Sequence, residues 1–552
     1  MIVEGSPTGP PWLYAKTGSS EFLSRCSTAT TREFVETGER LAQLLEVLVP
    51  AAFLVKMDMP TVTILDQTPS RQINSDAVLQ DMMKKVPDQP RSAGVEEVDR
   101  IQRMTDSIRG GGNLADPMRN RTGSTRVHFL PNLRIEDRDM TALFAYLDDA
   151  NFDGSRLTLS PDHVRFMLQR RTPMLPPWLI EGITAIYAQV NLAGDPIVLR
   201  PFEWLSAAET RALTVEPERP RPLLSMTDLF AAGAWQGTAE DAWRLGVWRA
   251  QATLFVRWSL DPRNAGAREA FWKFAERAGE SGESEEIFEA CFGFGFAEMR
   301  DRLSDYLPLA VKEPVRLPRG QLPRIPRAEV VKATPAQIVR LRGEWERIEI
   351  PYVRVRHPEF TNRYADHARR TLRRAAERSE SDPRIAAALG LCEVDAGNDA
   401  AARPFLETAA NGKVLRPRVY HELARLHLLQ LTAGQPDTRR YSEAEMSPVI
   451  ALLRTGITQA PPLPESFALL AEAWLRCSSP PPAEDLAALT RGADLFSWHP
   501  LLSHRIALLQ ISRGKPGEAT RLLARAMERT TDPAIRDRLV GLQAMIGGAK
   551  TP

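Results

Sequence analysis

Four prolines in the last third of the chain, Pro383, Pro417, Pro464 and Pro500, each open a similar unit, and no other feature limits the fold as strongly. Six and seven residues after each proline come a large apolar residue and then a small one: Leu389-Gly390, Leu423-Ala424, Leu470-Ala471 and Ile506-Ala507. The units at Pro383 and Pro500 agree further, pairing Gly397 with Gly514, Ala402 with Ala519, Leu406 with Leu523 and Ala409 with Ala526. Proline suits the first position of a helix, where its missing N–H would be unpaired anyway. A small residue lets a second helix approach closely, and glycine permits the turn between the two. Pro383 and Pro417 lie 34 residues apart, and Pro464 and Pro500 lie 36 apart. A period of this size predicts helix–turn–helix units, none of which can bury its apolar face without stacking on a neighbour.

These residues resemble the tetratricopeptide repeat. The longer interval from Pro417 to Pro464 is explained by a polar, turn-rich insertion near Thr432–Met446. One or two degenerate units are expected before Pro383, with helices near 334–347 and 359–378. The resemblance implies an all-α solenoid over 334–545 whose concave groove takes a protein or peptide partner. His421-Glu422-Leu423-Ala424-Arg425-Leu426-His427 begins like a zinc-binding helix. Its two imidazoles are separated by about 240° of helix rotation and face different ways, so a repeat helix is the reading.

The chain before the array mixes strand and helix signals. Strands are expected at Glu21–Leu23, Thr61–Leu65, Arg126–Leu130 and, as an edge, Arg156–Leu159, with a helix over 31–48. Helices follow at 162–171, 177–190, 240–258, 267–278, 284–291 and 296–306. Gly110-Gly111-Gly112 has no strand–loop–helix context and is not a phosphate-binding loop. Pro308, Pro314, Pro318, Pro323 and Pro326 predict an extended connector over 308–333, since proline opposes both helix and ladder. Its basic residues read as a solvated linker. Three regions result: 1–307, the connector 308–333, and the array 334–545.

Within the first region, four segments stand out: Pro161-Asp162-His163-Val164-Arg165; Leu175-Pro176-Pro177-Trp178-Leu179-Ile180-Glu181-Gly182; Arg249-Ala250-Gln251-Ala252; and Ile287 to Gly293, followed by Met299 to Leu307. Together they make the span from about Trp12 to Leu307 resemble a bacterial peptidase-like family related to the gluzincin metallopeptidases. The resemblance implies an α+β domain that is mainly helical around the former active site. In that family one helix carries HExxH, whose two His lie one turn apart on one face, and a Glu beside the first polarises the attacking water. A second helix, carrying Trp and Glu-Gly, supplies a third ligand. Aligned on Trp178 and Glu181, the first His falls on Pro161, the base on Asp162, the second His on Arg165 and the third ligand on Glu181. Proline binds no metal, and arginine brings a fixed positive charge.

The same residues also have structural readings. Ser160 caps a helix, Pro161 opens it and Asp162 suits its first turn, as Glu181 suits the first turn of the next helix. His163 is an alternative ligand, but its same-face neighbours Phe166 and Met167 are not ligands. The reading is an inactive metallopeptidase homologue with no cofactor, joined to a binding scaffold. The alternative is a zinc-dependent peptidase with rearranged ligands, Asp162 or His163 acting with Glu181 and the distant His128.

Composition adds limits. With 43% hydrophobic and 26% charged residues the chain reads as globular, and a net charge of +1 makes no electrostatic case for nucleic acid or an acidic membrane. Arginine dominates the positive charge, which reads as a compositional habit. Cys26, Cys291, Cys392 and Cys477 are scattered, against a zinc ribbon. No apolar run is long enough for a membrane span. The start at Met1 shows no signal peptide, so a cytoplasmic location is expected from it, and a periplasmic or exported one if the true start lies upstream.

Overall fold

A computed structural model describes residues 10–67, 133–147, 149–154, 157, 161–191, 197–202, 204, 223–231, 239–318, 320, 324–356, 358–378, 382–497, 499–530 and 532–548. The strand expected at Arg126–Leu130, His128 within it, the glycine run at 110–112, Ser160 and all but Leu157 of the expected edge strand lie outside these residues. The chain divides into two compact units that interleave along the sequence. One is Met1–Arg40, Met57–Thr158 and Ile325–Leu426; the other is Leu41–Lys56, Leu159–Arg324 and His427–Pro552.

In the first unit, runs of buried residues build a sheet with two buried faces. Its strands are β1 (Leu13–Lys16), β2 (Ser20–Ser24), β3 (Thr61–Gln67), β4 (Leu133–Glu136), β5 (Thr141–Leu147) and β9 (Val330–Lys332), ordered β4-β5-β3-β2-β1-β9. Strands β2, β3 and β5 run parallel, and α1 (Thr28–Leu48) makes the crossover from β2 to β3. Leu23, Ile64 and Phe144 are in register on one face, where α9 (Pro335–Arg356) brings Leu341, Trp345 and Ile348. The Phe144 and Trp345 rings lie 5.5 Å apart. The other face packs Phe22, Leu65, Ala145 and Leu147 on Phe34 and Val35 of α1. Strands β4 and β5 had no place among the expected elements. The run Thr141–Leu147 is apolar almost throughout, because a strand buried on both faces loses the alternation that marks a half-exposed one.

The second unit holds a helical lobe: α2 (Pro161–Gln169), α3 (Pro177–Gln189), α4 (Met226–Phe230), α5 (Ala239–Leu260), α6 (Ala267–Ser281), α7 (Glu285–Phe292) and α8 (Phe296–Ala310). A small sheet, β6 (Val190–Asn191), β7 (Ile197–Leu199) and β8 (Val315–Leu317), accompanies it. The connector expectation needs correction here. Pro308 lies inside α8, and β8 and β9, on either side of the later prolines, both join ladders. Both are edge strands, and Pro314 and Pro318 flank β8 rather than interrupt it, which is where a sheet tolerates proline.

The repeat helices follow the expected pattern: α10 (Thr361–Arg378), α11 (Pro383–Asp395), α12 (Asp399–Asn411), α13 (Pro417–Thr432), α14 (Glu443–Gly456), α15 (Pro464–Arg476), α16 (Ala483–Leu495), α17 (Pro500–Ser512), α18 (Pro516–Arg529) and α19 (Pro533–Gly548). Small residues sit where helices touch. A Cβ on Gly390 would lie 2.7 Å from the Leu406 side chain, and one on Gly343 2.3 Å from Leu372. Gly397 and Gly514 take φ of +80° and +70° at the turns, a conformation that a Cβ disfavours. The C-terminal part of the chain is therefore a tetratricopeptide-like helical repeat region.

The arginine content is also more than a habit of composition. Arg347 of α9 and Arg416 and Arg418 at the start of α13 are buried among carboxylates in the first unit. Arg347 reaches Asp137 at 2.8 Å, Asp395 at 3.0 Å and Glu344 at 3.2 Å. Arg418 meets Asp137 at 2.8 Å and also pairs with Asp395, while Arg416 pairs with Glu344 and lies 3.5 Å from Asp139. Burial alone would raise the Asp137 carboxyl, but Arg347, Arg418 and Arg416 outweigh it and hold it well below the usual carboxylate range. Glu344 is lowered in the same way, burial being outweighed by Arg416 and Arg347. Asp139 is raised, by burial first and then by neighbouring Asp137. The β4–β5 turn, α9, α11 and α13 are thus tied by one buried charge network.

Candidate functional site

Helices α2 and α3 carry the residues aligned with a metal centre. Val164 and Leu168, one turn apart, anchor α2 by burial. Helix α3 buries Trp178, Leu179, Ile180, Gly182, Ile183, Thr184, Ile186 and Tyr187, which makes it the central helix of the lobe. Glu181 lies on its one accessible stripe. There the Arg165 guanidinium donates to Glu181 Oε2 at 3.1 Å, and Arg249 Nε of α5 lies 3.8 Å from the same oxygen. Side-chain exposures of 33%, 21% and 57% for Arg165, Glu181 and Arg249 leave the group open to water. Pairs this exposed contribute about 0–1 kcal/mol, so the fold does not depend on them.

Two guanidinium groups thus approach one carboxylate oxygen. At ~4 Å and an effective dielectric near 20, each unit of like charge costs an incoming cation about 4 kcal/mol. His163 is half-buried on α2, and the Asp162 side chain lies outside the described residues. Among the described residues no group of three or more His, Cys, Asp or Glu is arranged to hold a metal ion. Position 165 and Glu181 do converge. Arg249 was noticed only as the first residue of the Arg249–Ala252 segment, and sequence reasoning gave it no place beside Glu181.

The other motif residues have packing tasks. Trp178 stands in an aromatic core with Phe230 at 5.3 Å, Phe255 at 5.4 Å and Phe274 at 6.0 Å, and its indole N–H donates to Glu283. Gln251 binds the backbone of Leu224 twice, accepting at 2.6 Å and donating at 3.0 Å. Gly182 lets α3 lie against α5: its Cβ would stand 2.6 Å from Val256 Cγ2 and 2.8 Å from the Ala252 carbonyl oxygen. Backbone cannot retreat as a side chain can. Gly182→Ala is expected to cost about 1–3 kcal/mol, read as a lower thermal midpoint. Gly541→Ala on α19, where nothing lies within 4 Å, is expected to be neutral or slightly stabilising.

A second site is a groove of about 1080 Å³, lined by α14, α16 and α18, by the ring of Phe467, and by Pro173 and Gly282 of the helical lobe. Asp485 organises one part of it, accepting from the Trp474 indole at 2.7 Å and from Arg454 at 2.8 and 3.0 Å. Asp494 holds Arg525 at 2.9 Å. Arg491 is exposed on the lining and has no carboxylate partner among the described residues. Among the described residues the groove therefore offers a ring, paired charges, and an Arg491 and a Glu484 without an ion-pair partner. His421 and His427 lie on α13, away from these residues in sequence and role; His421 is buried and its neighbour Glu422 pairs with Arg138 at 3.2 Å and Arg425 at 2.7 Å.

No described protein family matches the chain, and no curated protein does. Solved structures similar to it include MamA, at 15% identity and TM-score 0.24 over 31% of this chain and 92% of that one. A thermophilic TPR protein of Thermus thermophilus matches at 16% identity and TM-score 0.24, over 35% of this chain and 97% of its own. YrrB, a TPR protein with an unusual peptide-binding site, matches at 13% and 0.26, over 37% and 98%. The repeat assignment rests on the helix pairing described above.

Proposed function

We propose that the chain is a binding protein in which a pseudo-metallopeptidase lobe accompanies a repeat scaffold for a protein or peptide partner. In this reading the peptidase-like part lies within residues 1–307 and the array within 334–545. The observation that carries it is the Arg165–Glu181 pair at 3.1 Å. A cationic side chain holds the carboxylate aligned with a metal ligand, at a position where the peptidases resembled by the sequence carry His. Support for binding comes from the groove of about 1080 Å³ between the later repeats and Pro173 and Gly282 of the lobe, where a peptide carboxylate would complement Arg491.

The test has two parts. Purified full-length chain offered zinc is expected to retain less than a tenth of an equivalent by mass spectrometry and to hydrolyse no peptide. Stoichiometric zinc, lost on Glu181→Ala, would instead establish the zinc-dependent alternative through Glu181 and His163. Peptides selected from a random library on the full chain are expected to bind about tenfold or more weakly to Arg491→Glu, since a charge-assisted contact is reversed. Unchanged binding by that variant removes the groove from the proposal.

A further inference from the structure

We propose that the groove along α14, α16 and α18 selects peptide segments carrying one basic and one acidic side chain about 10 Å apart. This rests on the groove being the peptide site, and it names the chemistry of the segment that site takes. Four arginines and three carboxylates line the cavity. Most of that charge is already matched within the fold. Arg454 donates through Nε and Nη2 to the two oxygens of Asp485, at 2.8 and 3.0 Å. Arg525 donates to Asp494 at 2.9 Å, and Arg521 to Glu518 at 3.2 Å. Glu484 and Arg491 are the exceptions. Both are exposed, and neither has an ion-pair partner among the described residues.

The two stand on one helix. From Glu484 to Arg491 α16 makes two turns, which return to within about 20° of the same direction after roughly 10 Å of rise. One wall of the groove thus presents a carboxylate and a guanidinium in line. Ala488 lies between them on the same stripe, and Leu495 follows one turn after Arg491. Glu484 belongs to the first turn of α16, where the helix dipole favours an acid. Arg454 is raised by its bonds to Asp485 first and by Glu484 least, so this neighbour leaves Glu484 available.

The occupant follows from charge complementarity. A segment with two acidic groups meets Glu484 as a like charge, and one with two basic groups meets Arg491. Only a segment of both signs matches both ends. Its backbone must set the two side chains on one side at the α16 spacing. A polyproline II stretch does so for positions three apart, at about 3.1 Å per residue and three residues per turn. A β-strand puts its same-side positions about 7 or about 13 Å apart. Apolar side chains between the charges meet Ile457, Leu495 and the Phe467 ring, which packs so closely on α16 that a Cβ on Gly492 would lie 2.3 Å from it.

Titration calorimetry of the full-length chain with end-blocked peptides tests this. The probe is Gly-Lys-Pro-Leu-Glu-Gly, whose only charges are its two side chains; its companions carry Glu at both charged positions or Lys at both. The parent is expected to bind the mixed peptide about tenfold more tightly than either companion. Glu484→Arg is expected to move the preference to the two-glutamate peptide and Arg491→Glu to the two-lysine peptide. Both substitutions together are expected to return it to the mixed peptide. A damaged fold weakens all three peptides alike and does not exchange their order. Binding that Arg491→Glu leaves unchanged removes the groove itself as the site. Binding that falls in Arg491→Glu but ignores Glu484→Arg keeps the groove and overturns the requirement for both signs. Equal affinity of the parent for the mixed and two-glutamate peptides, or no binding of the mixed peptide, overturns it as well.

Discussion

Arg347→Ala is expected to raise amide exchange in β5 and α9 by about a hundredfold or more, while exchange in α17 and α18 stays unchanged. The substitution leaves Asp137, Asp395 and Glu344 buried without the guanidinium that reaches all three. Breaking a buried charge cluster in this way costs about 3–5 kcal/mol, chiefly because an uncompensated charge remains inside. The network also predicts how stability depends on pH. Asp137 and Glu344 are lowered on folding, so their contribution is full above their unfolded values, near pH 4–4.5, and is lost as pH falls through the folded ones. Asp139 is raised and runs oppositely, its contribution present at low pH and fading as pH rises. Two lowered groups against one raised leave the first unit acid-labile. In Arg347→Ala that acid dependence is expected to flatten. A change in exchange below about tenfold would show that the carboxylates relax to water and that the network is not a tie.

The second large effect concerns metal. Pro161→His, Asp162→Glu and Arg165→His together are expected to convert a chain proposed to retain no zinc into one that binds a full equivalent, with Glu181 as third ligand. Positions 161 and 165 lie one turn apart on α2, and Glu181 already lies within reach of position 165, at 3.1 Å from its guanidinium. Imidazole is shorter than arginine, and two zinc–ligand bonds of about 2.0–2.1 Å each fill the difference. Adding Glu181→Ala to the triple variant is expected to lower zinc affinity by tenfold or more, measured by chelator competition. A folded triple variant that takes up no zinc would remove the peptidase ancestry from the proposal, because the helix pair would then lack the geometry that ancestry supplies.

Much of the helical architecture was legible because its signals are local. Prolines at 383, 417, 464 and 500 open α11, α13, α15 and α17, and the glycines at 397 and 514 take the positive φ that the offsets implied. Helix α3 and its neighbours were legible for the same reason. What was not legible depended on partners far along the chain. The sequence around Thr141–Leu147 carries no alternation because both its faces are covered, by α1 and by α9, elements far before and far after it in the chain. The prolines after 308 suggested a free connector, and edge positions in two sheets absorbed them.

The candidate site divides along the same line. Position 165 and Glu181 were singled out in the sequence, whereas their ion pair, the approach of Arg249 and the groove around Asp485 and Asp494 arise from helices that meet only in three dimensions. Charge shows the contrast most directly. By itself the sequence determined that repeated helix pairs form, since helix periodicity is a property of short segments. Only the tertiary structure decided what the arginines do. It buried Arg347, Arg416 and Arg418 among carboxylates up to 281 positions away, and it left Arg491 on a groove wall with no carboxylate partner among the described residues. Electrostatic energy depends on distance and burial, and neither is set by position in the chain.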